Sequence, residues 1–151
     1  MESIATLSQL LKLAEGERDA AAAWLRQCEA AASHARGQGE HLDAYRGEYI
    51  DRWGTRFRQQ GTPQLLQCYQ GFNGRLDQAI AQQARTIVQA GNRVELARAA
   101  LLVRELRVAS VRKLIERRNA ELRRASARRE QRQTDEAAQR SVAGPHLNFM
   151  M

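Results

Sequence analysis

Residues 80–122 read IAQQARTIVQAGNRVELARAALLVRELRVASVRKLIERRNAEL, and every seventh residue from Ile80 is a large aliphatic: Ile80, Ile87, Val94, Leu101, Val108, Ile115 and Leu122. A seven-residue repeat sustained this long predicts an α-helix that buries one narrow seam against another helix. The partner position within each heptad alternates alanine with polar groups (Gln83, Ala90, Ala97, Arg104, Val111, Arg118). The seam is therefore thin and one-sided, which suits two-stranded packing better than a thick bundle. Arg104 and Arg118 on it suggest a helix that awaits a partner.

Extended upstream, the same alternation of three and four residues reaches Leu66 and Tyr69, and from Leu66 to Ala125 fourteen of eighteen positions are apolar. A second series runs Ile4, Leu7, Leu11, Ala14, Arg18, Ala21, Leu25, Cys28, Ala32, Ala35, Gly39, Leu42, Arg46, Tyr49, Trp53, with only Arg18, Gly39 and Arg46 not apolar. Gly37 with Gly39 is expected to loosen that helix locally.

Gly61-Thr62-Pro63 interrupts the pattern, since glycine suits a helix C-terminus and proline the first turn of the next helix. Gly144-Pro145 is expected to end the second helix. The predicted fold is all-α and single-domain, an antiparallel two-helix coiled-coil hairpin whose second helix is longer and projects. The first helix spans 1–60, the bend 61–64, the second helix 65–141 and a tail 142–151. Paired residues should have numbers summing to about 122, so Ile4 reaches only the neighbourhood of Arg118 and the second helix, roughly 110 Å long, runs on beyond it. Cys28 and Cys68 then stand tens of Å apart, well beyond the roughly 7 Å between Cα atoms that a disulfide can bridge.

Composition agrees. About half of the 151 residues are Ala, Glu, Lys, Leu or Arg, and the aromatic share is 5%, as in long helices and coiled coils. Alanine supplies 25 of the apolar residues, leaving too little bulk for a thick core or an enclosed pocket. No stretch approaches the roughly 18 apolar residues of a membrane span, and Met1 to Ala14 lacks the basic start and apolar block of a secretory signal. The chain reads as cytosolic. Cys28 and Cys68 with His34 and His41 show no CxxC or HxxxH spacing, so neither a disulfide framework nor a metal site is expected. No P-loop, nucleophile elbow, HExxH or pocketed carboxylate pair occurs, and no enzyme or cofactor is indicated.

Two features remain. Six aromatics (Tyr45, Tyr49, Trp53, Phe57, Tyr69, Phe72) gather around the bend. Trp53 and Phe57 are expected to seal the hairpin end, whereas Tyr45 lies off the seam, and Tyr and Phe on a thin coiled coil make a protein-docking surface. The net charge of +7 is concentrated late: residues 99–151 carry twelve basic and six acidic groups, and arginine outnumbers lysine 22 to 2. The basic groups from Arg104 to Arg132 surround the helix rather than segregating to one face, which disfavours a membrane-surface helix. An arginine-rich nucleic-acid-binding coiled coil remains an alternative, although no aromatic between Phe72 and Phe149 is available to stack on bases.

The chain resembles the FliJ family of the bacterial flagellar type III export apparatus. The resemblance lies in Leu7-x-x-Leu10-x-x-Leu13-Ala14-Glu15, Ala20-Ala21-Ala22, Leu42-x-x-Tyr45-Arg46-x-Glu48-Tyr49, Phe72-x-x-Arg75-Leu76-x-x-Ala79-Ile80 and Arg128-Arg129-Glu130-Gln131-x-x-x-Asp135-Glu136, with Gln139-Arg140. It implies a coiled-coil stalk similar to the central subunit of rotary ATPases, inserted into the hexameric ring of the export ATPase FliI and linked to the membrane export gate FlhA. It also implies escort of export chaperones and a place at the cytoplasmic face of the inner membrane. The gate-binding residues it implies are Gln38, Leu42, Tyr45, Tyr49, Phe72, Leu76, Ala79 and Gln83, the last a position where the family can carry histidine. Those facing the ATPase ring are Leu7, Leu11, Lys12, Arg117, Arg118, Arg123, Arg124, Arg128, Arg129 and Arg132. A related stalk of a virulence injectisome is the same-class alternative.

Overall fold

The computed structural model describes residues 3–147, which form two helices, α1 (Ile4–Gln59) and α2 (Pro63–Leu147). The all-α hairpin with a longer second helix is thus observed. Each helix starts on a hydroxyl cap: Ser3 Oγ accepts the Thr6 N–H at 3.2 Å, and Thr62 Oγ1 accepts the Leu65 N–H at 3.3 Å. Such caps satisfy donors that have no carbonyl one turn back. Pro63 follows as the first helical residue, where its missing N–H costs nothing.

The boundaries differ slightly from expectation. The bend is confined to Gln60–Thr62, because Pro63 already belongs to α2. Gly61 does not adopt the left-handed conformation that a C-terminal glycine usually supplies. Its role is steric instead, since a Cβ there would stand 3.3 Å from the Phe57 carbonyl oxygen. At the far end α2 continues past 141 to Leu147. Gly144 and Pro145 therefore lie within the last turns of α2 and do not end it. Of the expected tail, residues 148–151 lie outside the described residues.

All fifteen expected seam positions of α1 are buried or half-buried, and so are sixteen of the eighteen on α2. The exceptions are Leu66 and Leu122, 42% and 46% exposed. Beside the bend, half-buried Leu65 takes the place expected of Leu66.

The chain divides into two compact units, Glu17–Arg104 and the two chain ends up to Gly16 and from Glu105. In the first, Cys28, Ala32, Val94 and Ala97 form the centre, with Leu25 and Ala90 packed against it. Small residues dominate, so backbone proximity rather than bulk excludes water. At Gly39 a Cβ would lie 2.9 Å from Ile87 Cδ1. Instead of loosening α1, which runs through unbroken, this glycine lets Ile87 settle against its backbone. Three polar pairs hold the register: Arg104 Nη1 to Glu17 at 2.7 Å, Arg46 Nη2 to Asp77 at 3.0 Å, and Gln83 Nε2 to the Ala35 carbonyl at 2.8 Å. The two ion pairs join residues whose numbers sum to 121 and 123, as expected. Arg104 is therefore satisfied within the chain, and its seam position is no sign of an awaited partner.

In the second unit Leu7, Ala14 and Val108 are buried, and Arg112 approaches Glu15 at 4.0 Å. Beyond Ala125 every side chain described as far as residue 143 is exposed. Among the described residues α1 begins at Ile4, so this part of α2 has no seam to fill.

Candidate functional site

The rings around the bend form one knot with Tyr49 as its hub. Its ring centroid lies 4.3 Å from Phe72, 5.8 Å from Trp53, 5.9 Å from Tyr69 and 6.3 Å from Tyr45. Trp53 and Phe57 close the bend-side end, each packed on Tyr69 at 5.4 and 6.4 Å. The cause is spacing: Tyr45, Tyr49, Trp53 and Phe57 stand four apart on α1, one above another on one face. Offset and edge-on contacts at these distances are favourable for aromatic pairs. Burial among the rings pushes the Tyr49 hydroxyl above its ordinary pKa, and neighbouring Tyr45 and Tyr69 reinforce that shift.

Away from the bend the knot opens onto a surface groove of about 660 Å³ lined by Gln38, His41, Leu42, Ala44, Tyr45, Glu48 and Gln83. Tyr45 is 46% exposed on its wall. Its ring also meets Phe72 edge-on at 6.4 Å, so the exposed ring is braced from behind. The Gln83 amide that reaches the Ala35 carbonyl lies 3.5 Å from Gln38 Oε1 as well. That crosslink fixes the far end of the groove. Arg46 and Asp77 pair alongside.

Four of the eight residues expected on this surface, Gln38, Leu42, Tyr45 and Gln83, line the groove. Tyr49 and Phe72 belong to the knot beneath Tyr45, Leu76 is buried at 6% exposure, and half-buried Ala79 is not on the groove wall. His41, Ala44 and Glu48 were not anticipated. Their signal was available, because positions 41, 44, 45 and 48 recur with helical spacing on the face that carries Tyr45.

The ten residues expected to face an ATPase ring fall into two kinds. Leu7 is buried and Leu11 half-buried, so both act through packing, whereas Lys12 is exposed. Arg117, Arg123, Arg124, Arg128, Arg129 and Arg132 are exposed, and Arg118, half-exposed, reaches Glu121 at 3.5 Å. Among the described residues the five arginines from Arg123 to Arg132 form no ion pair in the chain. They are fully available to an external acceptor. Cys28 and Cys68 are both free, the former buried.

Among the described residues there is no cluster of three or more His, Cys, Asp or Glu able to hold a metal ion, and no helix long and apolar enough to cross a membrane. The sequence model of the family described as flagellar FliJ protein matches residues 3–146. No curated protein and no solved structure matches the chain.

Proposed function

The chain belongs to the flagellar FliJ family, whose members are components of the flagellar export apparatus, and on that premise we propose that it is the stalk coupling the export ATPase ring to the export gate. The exposed arginines of α2 enter the FliI hexamer, and the groove beside Tyr45 docks the gate protein FlhA. Escort of export chaperones and residence at the cytoplasmic face of the inner membrane belong to the same reading. The function is mechanical and assembly-promoting.

The observation that carries this reading is the braced, exposed Tyr45 on an apolar-floored groove. Rigid tyrosines that keep one face free provide large contact area at little entropic cost, which is why they recur as binding hot spots. On the later part of α2, unpaired guanidinium groups offer planar, permanently charged donors to carboxylates and carbonyls. Their distribution around the helix suits a ring that surrounds it.

The test has two arms. Tyr45→Ala should leave the helical circular dichroism unchanged and weaken binding of the cytoplasmic domain of FlhA at least tenfold; undiminished binding would remove the groove from the gate contact. Adding the wild-type chain to FliI should raise ATPase activity under ring-forming conditions, and Arg124→Glu with Arg128→Glu should blunt that rise. A flat wild-type titration would count against the stalk role.

A further inference from the structure

Two grooves within the Glu17–Arg104 unit repeat the same footprint on α1. Besides the groove beside Tyr45 there is one of about 400 Å³, lined by Trp24, Gln27, Cys28 and Ala31 of α1 and by Ala90 and Arg93 of α2. Moved along α1 by two heptads, its four positions become Gln38, His41, Leu42 and Tyr45, and all four line the Tyr45 groove. Residues a whole number of heptads apart keep the same bearing on a partner helix. The two grooves therefore lie on one flank of the hairpin, roughly 21 Å apart. The heptad between them puts Ala31, His34, Ala35 and Gln38 on that flank, with no large apolar side chain.

Each groove is marked by a half-exposed ring, Trp24 at 43% and Tyr45 at 46%. These rings begin and end the series Trp24, Ala31, Gln38, Tyr45, which spans three heptads, or roughly 31 Å of helix. Two outward aromatics with only small or polar residues between them suit a straight element anchored at both ends. An extended segment would bring backbone groups that find nothing to bond, because the backbone of α1 and α2 is already paired within each helix. A helix satisfies its own backbone and meets a heptad-spaced surface with heptad-spaced side chains.

Charge gives that helix a direction. Arg93, on the rim of the Trp24 groove, forms no ion pair among the described residues, whereas Glu48, on the rim of the Tyr45 groove, has Arg52 at 3.9 Å. The unmet cation calls for an acidic group at the Trp24 end. Resting on the assignment of the Tyr45 groove to the gate protein, we propose that one amphipathic helix of that protein, about 21 residues long, lies along α1 from Tyr45 to Trp24. It sets an apolar side chain on each ring and a carboxylate on Arg93.

Titration calorimetry with the cytoplasmic domain of FlhA tests the extension. Trp24→Ala should weaken binding about fivefold or more, the loss of an aromatic anchor, with the helical circular dichroism unchanged because the ring is half-exposed. Arg93→Glu should weaken it too, and Arg93→Lys should stay close to wild type; binding indifferent to the charge at 93 would overturn the proposed direction. Weakened binding by Tyr45→Ala with full binding by Trp24→Ala would overturn the extended contact and leave the gate assignment standing. Full binding by both variants would overturn the two together. A direct readout decides the matter if Trp24→Ala loses helix. Fluorotryptophan incorporated into a Trp53→Phe chain gives a single fluorine resonance, that of Trp24. It should shift on addition of the FlhA domain, and an unchanged resonance at saturation would refute the proposal. A shift that follows the concentration of the chain alone would give the groove to a second copy and refute it equally.

Discussion

Tyr45 and Tyr49 are one helical turn apart and chemically identical, yet the structure gives them different work, and truncating each in turn separates support from contact. Tyr49 touches four other rings at centroid distances from 4.3 to 6.3 Å. Removing a fully buried aromatic side chain costs about 3–5 kcal/mol. Tyr49 is half-buried, which lowers the transfer part, while the lost ring pairs add back about 0.5–1.5 kcal/mol each and overlap strongly. Tyr49→Ala should therefore destabilise by about 2–4 kcal/mol. Tyr45, 46% exposed and in contact with two rings, should lose about 0.5–1 kcal/mol, the ordinary cost of a surface truncation with some packing. Urea titration measures both, with Trp53 fluorescence in a Trp24→Phe background reporting on the knot and circular dichroism on the helices. Equal losses for the two variants, or a loss below about 1 kcal/mol for Tyr49→Ala, would refute the assignment of Tyr49 as the hub.

Three further outcomes follow from the same geometry. Gly39→Ala gains about 1 kcal/mol of helix propensity but sets its Cβ 2.9 Å from Ile87 Cδ1, so it should be neutral or destabilising. Ile87→Val, which deletes that methyl, should restore the gain in a double-mutant cycle, whereas Gly47→Ala, with open space around it, should stabilise on its own. Gln83→Ala should cost about 1 kcal/mol in urea titration, the worth of one partly buried hydrogen bond, since its amide bonds the Ala35 carbonyl at 2.8 Å. A raised folded-state pKa at Tyr49 means that the unfolded chain releases this proton first. Stability from this group should thus be fully present below the ordinary tyrosine pKa of 10.0 and decline as pH rises through the higher folded value. The difference between thermal melts of wild type and Tyr49→Phe should be constant below pH 10.0 and should change as pH rises above it.

Why the fold was legible and part of the site was not has a physical answer in the two kinds of position. Seam positions are set mainly by period: the residue at the next step of three or four turns toward the partner helix, including Arg18 and Arg46 of α1, which are half-buried like their apolar neighbours. The errors on the seam concern what a side chain does there, and these depend on an atom across the interface. Glycine at 39 reads as a weakness until Ile87 Cδ1 is seen against its backbone. Arg104 reads as an unmet charge until Glu17, 87 residues earlier, is seen at 2.7 Å. Local sequence contains neither partner.

The groove shows the same division at finer scale. Tyr45 was visible as the aromatic that broke the seam, and its exposure follows from that one-residue offset. Tyr49 came with it as a member of the same aromatic group and Leu76 through family resemblance, but such a block of residues holds supports and contacts alike. Leu76 lies beneath the surface at 6% exposure, so a change there would alter binding through packing rather than through direct contact. His41 and Glu48 are the reverse case. As polar residues they carry no seam signal, yet each stands within one turn of Tyr45 on the groove wall. Because both are on the rim and neither supports the knot, His41→Ala and Glu48→Ala should leave stability within about 0.5 kcal/mol of wild type. Any effect of theirs on gate binding would then measure contact alone, free of the structural component that Tyr49→Ala and Leu76→Ala necessarily include.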